Sequence, residues 1–395
     1  MEKNNKTLNV PHLRFPEFSG EWDYICLSDI ADIVGGGTPD TSVVEYWGGN
    51  ILWFTPSEIG KEKYARLSER TITEAGIKNS SAKLLPQGTV LLSSRATIGE
   101  CSIARQECTT NQGFQSLIAE TDKVTSEFLY YLVPTIKKEM LRRSCGSTFL
   151  EISANELRKI YVYRPSLIEQ NKLAEFMSLL DLRIETQKKI IEDLKKLKDA
   201  ITHSHYRNEL SHSPMVYIGK YITQVSKRNK DAKIDRVLSV SNKYGFIDQD
   251  EQFEDREVAS ADTSNYKVVH KGDFAYNPAR INVGSVARLQ EFENGIVSPM
   301  YVCFTVKKGL LPEYFDLYLS TNIFKHEMNK RLEGSVRLCL TYESLCNIRI
   351  ALPEYNVQAD FVAKVSAIFR KIKSEEKLLV LYHNYKQYLL SHMFI

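Results

Sequence analysis

Apolar and polar positions fall into two textures that alternate along the chain. Over roughly 20–165 and 214–353, apolar residues come in short runs broken by Gly, Pro and Asn. Thr89-Val90-Leu91-Leu92 and Tyr301-Val302-Cys303-Phe304-Thr305-Val306 are such runs, and each reads as a strand. Helical stretches sit among them, Glu127 to Arg143 for example. These regions predict mixed α/β globules with irregular loops.

The other texture is a long helix, used twice. Neither Gly nor Pro occurs between Pro165 and Pro214, or from Glu354 onward. In the first segment, positions 173, 176, 180, 183, 187, 190, 194, 197 and 201 alternate three and four apart. Leu173, Phe176, Leu180, Ile190, Leu194, Leu197 and Ile201 are apolar there; Arg183 and Gln187 are polar. That heptad predicts a coiled-coil seam. The second stripe is Val365, Ile368, Ile372, Leu379, Tyr382, Tyr385 and Leu389. Each helix would run about 58 Å at 1.5 Å per residue. A lone helix of that length needs a partner for its stripe.

The chain also repeats itself. At an offset of 188, Leu129–Tyr206 lies on Leu317–Phe394 without a gap. Leu129-Tyr130 matches Leu317-Tyr318, and Lys137, Glu139 and Met140 match Lys325, Glu327 and Met328. Gly146-Ser147 matches Gly334-Ser335; Leu157, Ile160, Pro165 and Gln170 match Leu345, Ile348, Pro353 and Gln358. Upstream the offset drifts: Gly88 falls on Gly272 at 184, and Arg95 and Gly99 fall on Arg280 and Gly284 at 185. One large unit is used twice, which predicts a pseudo-two-fold molecule. The long helices then pair antiparallel within the chain, as a rod with a globular domain near each end. A dimerisation coiled coil between two chains is the alternative. The expected fold class is α+β: two mixed α/β domains in pseudo-two-fold arrangement, joined by two long antiparallel coiled-coil helices. The expected boundaries are 1–165 for the first domain with its lead-in and 166–213 for the first helix, then 214–353 and 354–395 for the second pair.

Composition narrows the function. With 43% hydrophobic and 26% charged residues, the 395-residue chain is globular rather than disordered. The 52 Lys and Arg against 49 Asp and Glu leave only +3, so any basic surface is local. Seven Cys with no C-x-x-C pair fit reduced thiols in the cytoplasm. The first twenty residues have no apolar core, which predicts no secretory signal, and no 18-residue apolar run predicts a membrane span.

Catalytic motifs are largely missing. There is no G-x-x-x-x-G-K-[ST], and Gly35-Gly36-Gly37-Thr38 reads as a turn. Asn277-Pro278 lacks the second Pro and the aromatic of the amino-methyltransferase tetrapeptide. His203-x-His205 reads as an exposed polar pair rather than a metal site. No metal and no catalytic residue is expected.

What is present suits recognition. Arg95-Ala96-Thr97-Ile98-Gly99, Thr110-Asn111-Gln112-Gly113-Phe114 and Arg280-Ile281-Asn282-Val283-Gly284 set Arg and amide groups beside glycines. Arg pairs with guanine edges, and Asn or Gln with adenine. The alternative is that these residues only hold turns. Lys137, Lys138, Arg142, Arg143 and Lys325, Lys330, Arg331 form basic clusters that could neutralise phosphates. The candidate DNA-contacting residues are Thr38, Trp47, Arg95, Thr97, Asn111, Gln112, Lys137, Arg142, Arg143 and Ser147 in the first half. In the second they are Arg280, Asn282, Ser298, Lys330, Arg331 and Ser335. Candidates for helix packing or a partner interface are Phe176, Leu180, Leu194, Leu197, Ile368, Ile372, Leu379 and Tyr382.

With these residues in hand, the chain resembles the specificity subunit of a type I restriction–modification enzyme. Pro16-Glu17-Phe18-Ser19-Gly20-Glu21-Trp22 is similar to that family's lead-in. Gly36-Gly37-Thr38-Pro39 and Tyr46-Trp47-Gly48-Gly49 resemble the start of its first target-recognition domain, and Arg95–Gly99 and Thr110–Phe114 its middle motifs. Gly146-Ser147-Thr148 and Pro165…Glu169-Gln170 resemble its end. The second half lacks Gly-Gly-Thr-Pro, Tyr-Trp-Gly-Gly and Thr-Asn-Gln-Gly-Phe, so base-reading residues do not carry over to it.

The resemblance implies a non-catalytic DNA-binding subunit whose two domains each read half of a split target in double-stranded DNA. The helices would set the spacer and dock two methyltransferase subunits, which hold S-adenosylmethionine and methylate adenine N6. Restriction subunits, with ATP and Mg, would join them for host defence. No cofactor is implied for this chain itself. A related type II-like modification system, a coiled-coil adaptor without DNA readout and a fused methyltransferase–nuclease are the rival readings.

Overall fold

The computed structural model describes residues 9–146, 150–242, 244–249, 262–334 and 338–395. The chain forms two compact units, Met1–Lys188 with Lys377–Ile395, and Lys189–Glu376. Both long helices, Leu167–His212 and Tyr355–Met393, contribute to each unit.

In the first unit a five-stranded sheet runs in the order Ala31–Gly35, Gln115–Ala119, Val90–Leu92, Cys101–Ala104, Tyr64–Ala65. Its last pairing is parallel and the rest are antiparallel. A second sheet holds Arg70–Ile72, Trp47–Phe54 and Cys108–Thr110. Asp23–Cys26 pairs antiparallel with Tyr161–Arg164. Trp47-Gly48-Gly49 bulges: the register to Ile72 shifts between Trp47 and Ile51.

The long helices build the same core as the sheet. Phe128, Leu129 and Leu132 of helix Ser126–Leu132 pack with Leu173, Ala174 and Met177 at the start of one helix, and with Leu389, Leu390, Met393 and Phe394 at the end of the other. Fully burying one such side chain contributes about 1.5–3 kcal/mol. A polar network adds direction. Asp181 accepts from Tyr131 Oη at 2.7 Å and from Lys386 Nζ at 2.5 Å, and Lys63 Nζ donates to Ser178 Oγ at 2.6 Å.

The second unit repeats this topology. Its main sheet runs Ile222–Val225, Val302–Val306, Phe274–Tyr276, Val286–Arg288, the order of the first four strands above. Met215–Tyr217 pairs with Arg349–Ala351, as Asp23–Cys26 does with Tyr161–Arg164. The remaining strands differ: here Leu238–Ser241 pairs with Gly245–Asp248, and Lys267–His270 with Asn294–Val297. Its core is aromatic. Phe274 stacks on Phe304 at 5.2 Å, and Tyr206, Tyr314, Phe315 and Phe361 close around them.

Three expectations change. The stretch from Glu127 to Arg143 is two helices, Ser126–Leu132 and Lys137–Arg143, broken where Pro134 cannot donate a helical hydrogen bond. His205 is not an exposed polar residue: its ring stacks on Phe361 at 3.7 Å and its Nε2 lies 3.1 Å from Tyr314 Oη. The seam of the first helix runs through 173, 177, 180, 184, 187, 191, 194, 198 and 201. Ile184, Gln187 and Ile191 are buried, whereas Arg183, Ile190 and Leu197 are exposed. Leu197, expected on the seam, therefore lies on the surface, where only the partner-interface alternative stays open to it. Phe176 and Met177, like Ile190 and Ile191, are adjacent apolar residues, and only the neighbouring elements decide which faces inward.

The first long helix has a readable start and stop. Ser166 Oγ accepts from Glu169 N at 3.4 Å at its start, and Pro214 ends it. In the C-terminal helix Ile372 is buried and Ile368, Leu379 and Tyr382 are half-buried, while Tyr385 is exposed.

Candidate nucleic-acid interface

Three loops meet at one edge of the first unit. They follow the strands Ala31–Gly35, Val90–Leu92 and Cys108–Thr110, and they hold the motifs Gly36–Pro39, Arg95–Gly99 and Thr110–Phe114. Gly37 N donates to Thr110 O at 2.8 Å, and Ser94 N to Gly113 O at 2.9 Å. Asn111 N donates to Phe54 O at 3.0 Å, and Ile152 N to Ser94 O at 3.0 Å. The loops are thus cross-braced through backbone groups, which leaves side chains free for other work.

Glycine is required where these loops touch. A Cβ on Gly36 would lie 2.0 Å from Asn111 O, and one on Gly37 would lie 2.3 Å from Ala82 N. Behind them, Trp53 Nε1 donates to Gly37 O at 2.9 Å. Trp47 packs edge-on against Trp53 at 5.1 Å, and its own Nε1 donates to Asp40 O at 3.1 Å.

The candidates separate by what they touch. Thr38 Oγ1 donates to Gln112 Oε1 at 2.5 Å, and Gln112 is exposed. Asn111 Oδ1 is taken by Gly113 N at 2.8 Å, which makes Asn111 a turn-former. Arg95 and Thr97 are exposed; Arg95 pairs with Glu151 at 3.1 Å, and Thr97 Oγ1 lies 3.0 Å from Ser93 Oγ. Ala96 between them has φ 61°, a strained position for a residue with a Cβ. Lys137 supports the Arg95–Gly99 loop, with Nζ 2.9 Å from Glu100 Oε1.

In each basic cluster a glutamate holds two of the cations. Arg142 reaches Glu139 through Nε at 2.7 Å and Nη2 at 2.6 Å, and Arg143 Nε reaches it at 2.5 Å. These two guanidinium groups hold the Glu139 carboxyl down at about 2. The second unit repeats the device: Lys330 and Arg331 lie 3.0 and 2.7 Å from Glu327. Such surface pairs are weak, so a phosphate could still draw the cations away.

In the second unit, Arg280 and Asn282 are exposed on the loop 277–285. This loop corresponds to 93–100: Leu340 N donates to Pro278 O as Ile152 N does to Ser94 O, and Gly284 and Gly99 have φ 93° and 87°. Ser298 precedes strand Val302–Val306 by four residues, as Asn111 precedes Gln115–Ala119, and its carbonyl accepts from Tyr301 N at 3.0 Å. Ser147 and Ser335 lie outside the described residues.

Sequence reasoning missed Arg70 and Glu151. Arg70 lies over the Trp47 ring at 3.5 Å, and Glu151 neutralises Arg95. Both partners are distant in sequence, and no local pattern marks them.

Among the helix candidates, Phe176 meets Phe15 edge-on at 5.7 Å and Leu180 packs on the first core. Tyr382 Oη accepts from Arg183 Nε at 2.9 Å. Leu194 is half-buried in the second unit.

Known proteins resemble this chain in part of its sequence and in its fold. Residues 19–196 match the family described as "Type I restriction modification DNA specificity domain". The chain is 42% identical over 181 residues to the type I restriction enzyme MjaIX specificity subunit of Methanocaldococcus jannaschii, covering 45% of this chain and 42% of that one. It is 26% identical over 176 residues to the EcoR124I/EcoR124II specificity subunit of Escherichia coli, covering 43% of each. The crystal structure of a type I system S subunit from M. genitalium superposes with a TM-score of 0.57 at 16% identity, over 98% of this chain and 99% of that one.

Residues 19–196 are thus similar to the type I DNA specificity domain, and the chain shares the fold of a type I S subunit. The likeness to the M. genitalium subunit shows the same fold over nearly the whole chain. The matched stretches span less than half the length of the two curated specificity subunits. Among the described residues, no helix is long and apolar enough to cross a membrane, and no group of His, Cys, Asp and Glu forms a candidate metal set.

Proposed function

We propose that this chain is the sequence-specific DNA-recognition subunit of a type I restriction–modification complex. The observation that carries this reading is the braced cluster of the three motif loops in the first unit, which presents Thr38, Gln112, Arg95 and Thr97 together. Rigid loops suit base readout, because each mismatched base pair costs a specific interface about 1–3 kcal/mol only if the reading groups cannot readjust.

The repeated topology supports two readers in one chain, each assigned to one half of a split target. The different loops of the second unit support an asymmetric target. Phosphate contacts would come from the Lys and Arg residues of helices Lys137–Arg143 and Asn322–Asn329 and their ends.

The long helices set the unread spacer and dock two methyltransferase subunits. Exposed apolar residues on them, Leu179, Leu182, Leu197, Phe369 and Leu381 among them, support a docking role. In this reading S-adenosylmethionine sits in the methyltransferase subunit, and ATP and Mg in the restriction subunit. This chain holds no cofactor, catalyses nothing itself and works in the cytoplasm. Methylation falls on adenine N6.

Replacing residues 20–165 with another recognition domain tests the assignment. One half-site of the methylated motif should change and the other should persist. Unchanged methylation after the exchange would support an adaptor instead.

A further inference from the structure

We propose that Thr38 positions Gln112 as a donor-presenting reader of a single base pair in one half-site. The inference rests on the recognition reading above and names how the first unit carries it out.

Gln112 is exposed at the tip of the Thr110–Phe114 loop, and Thr38 stands across from it on the Gly36–Pro39 loop. Thr38 Oγ1 donates to Gln112 Oε1 at 2.5 Å. Among the described residues, Gln112 makes no other side-chain hydrogen bond. Its carbonyl is therefore engaged within the protein, while its Nε2 keeps two donors free. An unrestrained Gln pairs with adenine through both ends of the amide, giving a donor to N7 and an acceptor to N6. Tied at the carbonyl, Gln112 offers donors, and those fit base-edge acceptors: guanine O6 and N7, adenine N7 or thymine O4.

The loop holding Thr38 is fixed on both sides. Gly37 N–H is bonded to Thr110 O at 2.8 Å, Gly37 O accepts from Trp53 Nε1 at 2.9 Å, and the surroundings of Gly36 and Gly37 leave no room for a side chain. Arg70 over Trp47 and Trp47 against Trp53 back the same loop. The Thr38 hydroxyl is held by rigid backbone, and it removes rotamer freedom that a long exposed Gln would otherwise keep. Thr38 is thus a positioning residue, and Gln112 is the residue that touches the base.

The test uses the full chain with its cognate modification subunit, comparing wild type, Gln112→Ala, Thr38→Val and the double variant by methylome sequencing. Gln112→Ala should make one base position of one half-site degenerate and leave the other half-site sharp. Thr38→Val should relax the same position less, and adding it to Gln112→Ala should change nothing further. A role confined to folding predicts instead a uniform loss of methylation, with additive effects and a lower unfolding temperature. If Gln112→Ala abolishes methylation in cells, the purified complex is assayed against duplexes substituted one base pair at a time. Loss of about fivefold or more in discrimination at one base pair sustains the proposal; undiminished discrimination at every position overturns it. If wild type gives a split motif and Gln112→Ala keeps every position sharp, the Thr38–Gln112 assignment fails alone. If wild type gives no split motif, the recognition reading fails with it.

Discussion

Gln170 and Gln358, 188 residues apart, make the same three hydrogen bonds. Gln170 Nε2 donates to Pro165 O at 2.9 Å and Lys123 O at 3.0 Å, and its Oε1 accepts from Thr125 N at 3.0 Å. Gln358 Nε2 donates to Pro353 O at 2.9 Å and Gly309 O at 3.0 Å, and its Oε1 accepts from Leu311 N at 2.9 Å. Both side chains are fully buried. Each ties the first turn of a long helix to the loop that opens a short helix of its unit, Ser126–Leu132 or Pro312–Leu319.

Removing either amide orphans buried backbone groups, at about 1–3 kcal/mol for each group left unsatisfied. Gln170→Ala and Gln358→Ala should each destabilise the chain by several kcal/mol, and to a similar extent. Urea unfolding followed by circular dichroism checks this. A near-neutral result for either would mean that water replaces the amide.

The lead-in should matter as much as the core beneath it. Arg14 grips buried Glu169 with Nε and Nη2, both at 2.7 Å, and Trp22 Nε1 adds a bond at 3.3 Å. Glu169→Ala leaves Arg14 without its partner, at a cost of about 3 kcal/mol. Glu192→Ala, which breaks the exposed pair with Lys196, should leave stability unchanged. Equal effects in the same unfolding assay would contradict this account of the clamp.

The seam register makes a sharp distinction between neighbours. Ile191 is 6% exposed and Leu197 is 48% exposed. Ile191→Asp should destabilise the chain by about 3 kcal/mol or more, since it buries an unpaired carboxylate. Leu197→Asp should leave unfolding unchanged and weaken co-purification of the modification subunit. The reverse pattern would restore the register through 183, 190 and 197.

These contrasts show how much was legible in the sequence. The duplication was readable because Pro165, Gln170 and their counterparts perform one task twice. The heptad was half readable: 173, 180, 187, 194 and 201 lie on the seam, while the intervening positions fall one residue later. Adjacent apolar residues such as Ile190 and Ile191 satisfy either stripe, and burial against other elements selects one. The motif loops were readable as motifs, and Thr38, Arg95, Thr97 and Gln112 do come together. Their bracing by Arg70, Trp53 and Glu151 was not readable, because strand pairing, not sequence spacing, brings these residues near.

His205 should make stability pH-dependent. Burial, foremost, holds its imidazole below the ordinary value; Glu209 at 3.9 Å acts against this, and Lys364 with it. The folded state therefore resists a proton that the unfolded state accepts. Stability from this group is full above the unfolded pKa near 6.5 and is lost as pH falls toward the folded pKa. His205→Met, which installs the residue found at the corresponding position 393, should flatten the fall in Tm between about pH 7.5 and 5.5. An identical slope in the two proteins would place the titration elsewhere.

The most direct measurement is methylome sequencing of cells expressing this chain with its cognate modification subunit, against cells with the modification subunit alone. The account predicts a split N6-methyladenine motif that appears only when this chain is present. Co-purification of the two proteins without any new motif would contradict it.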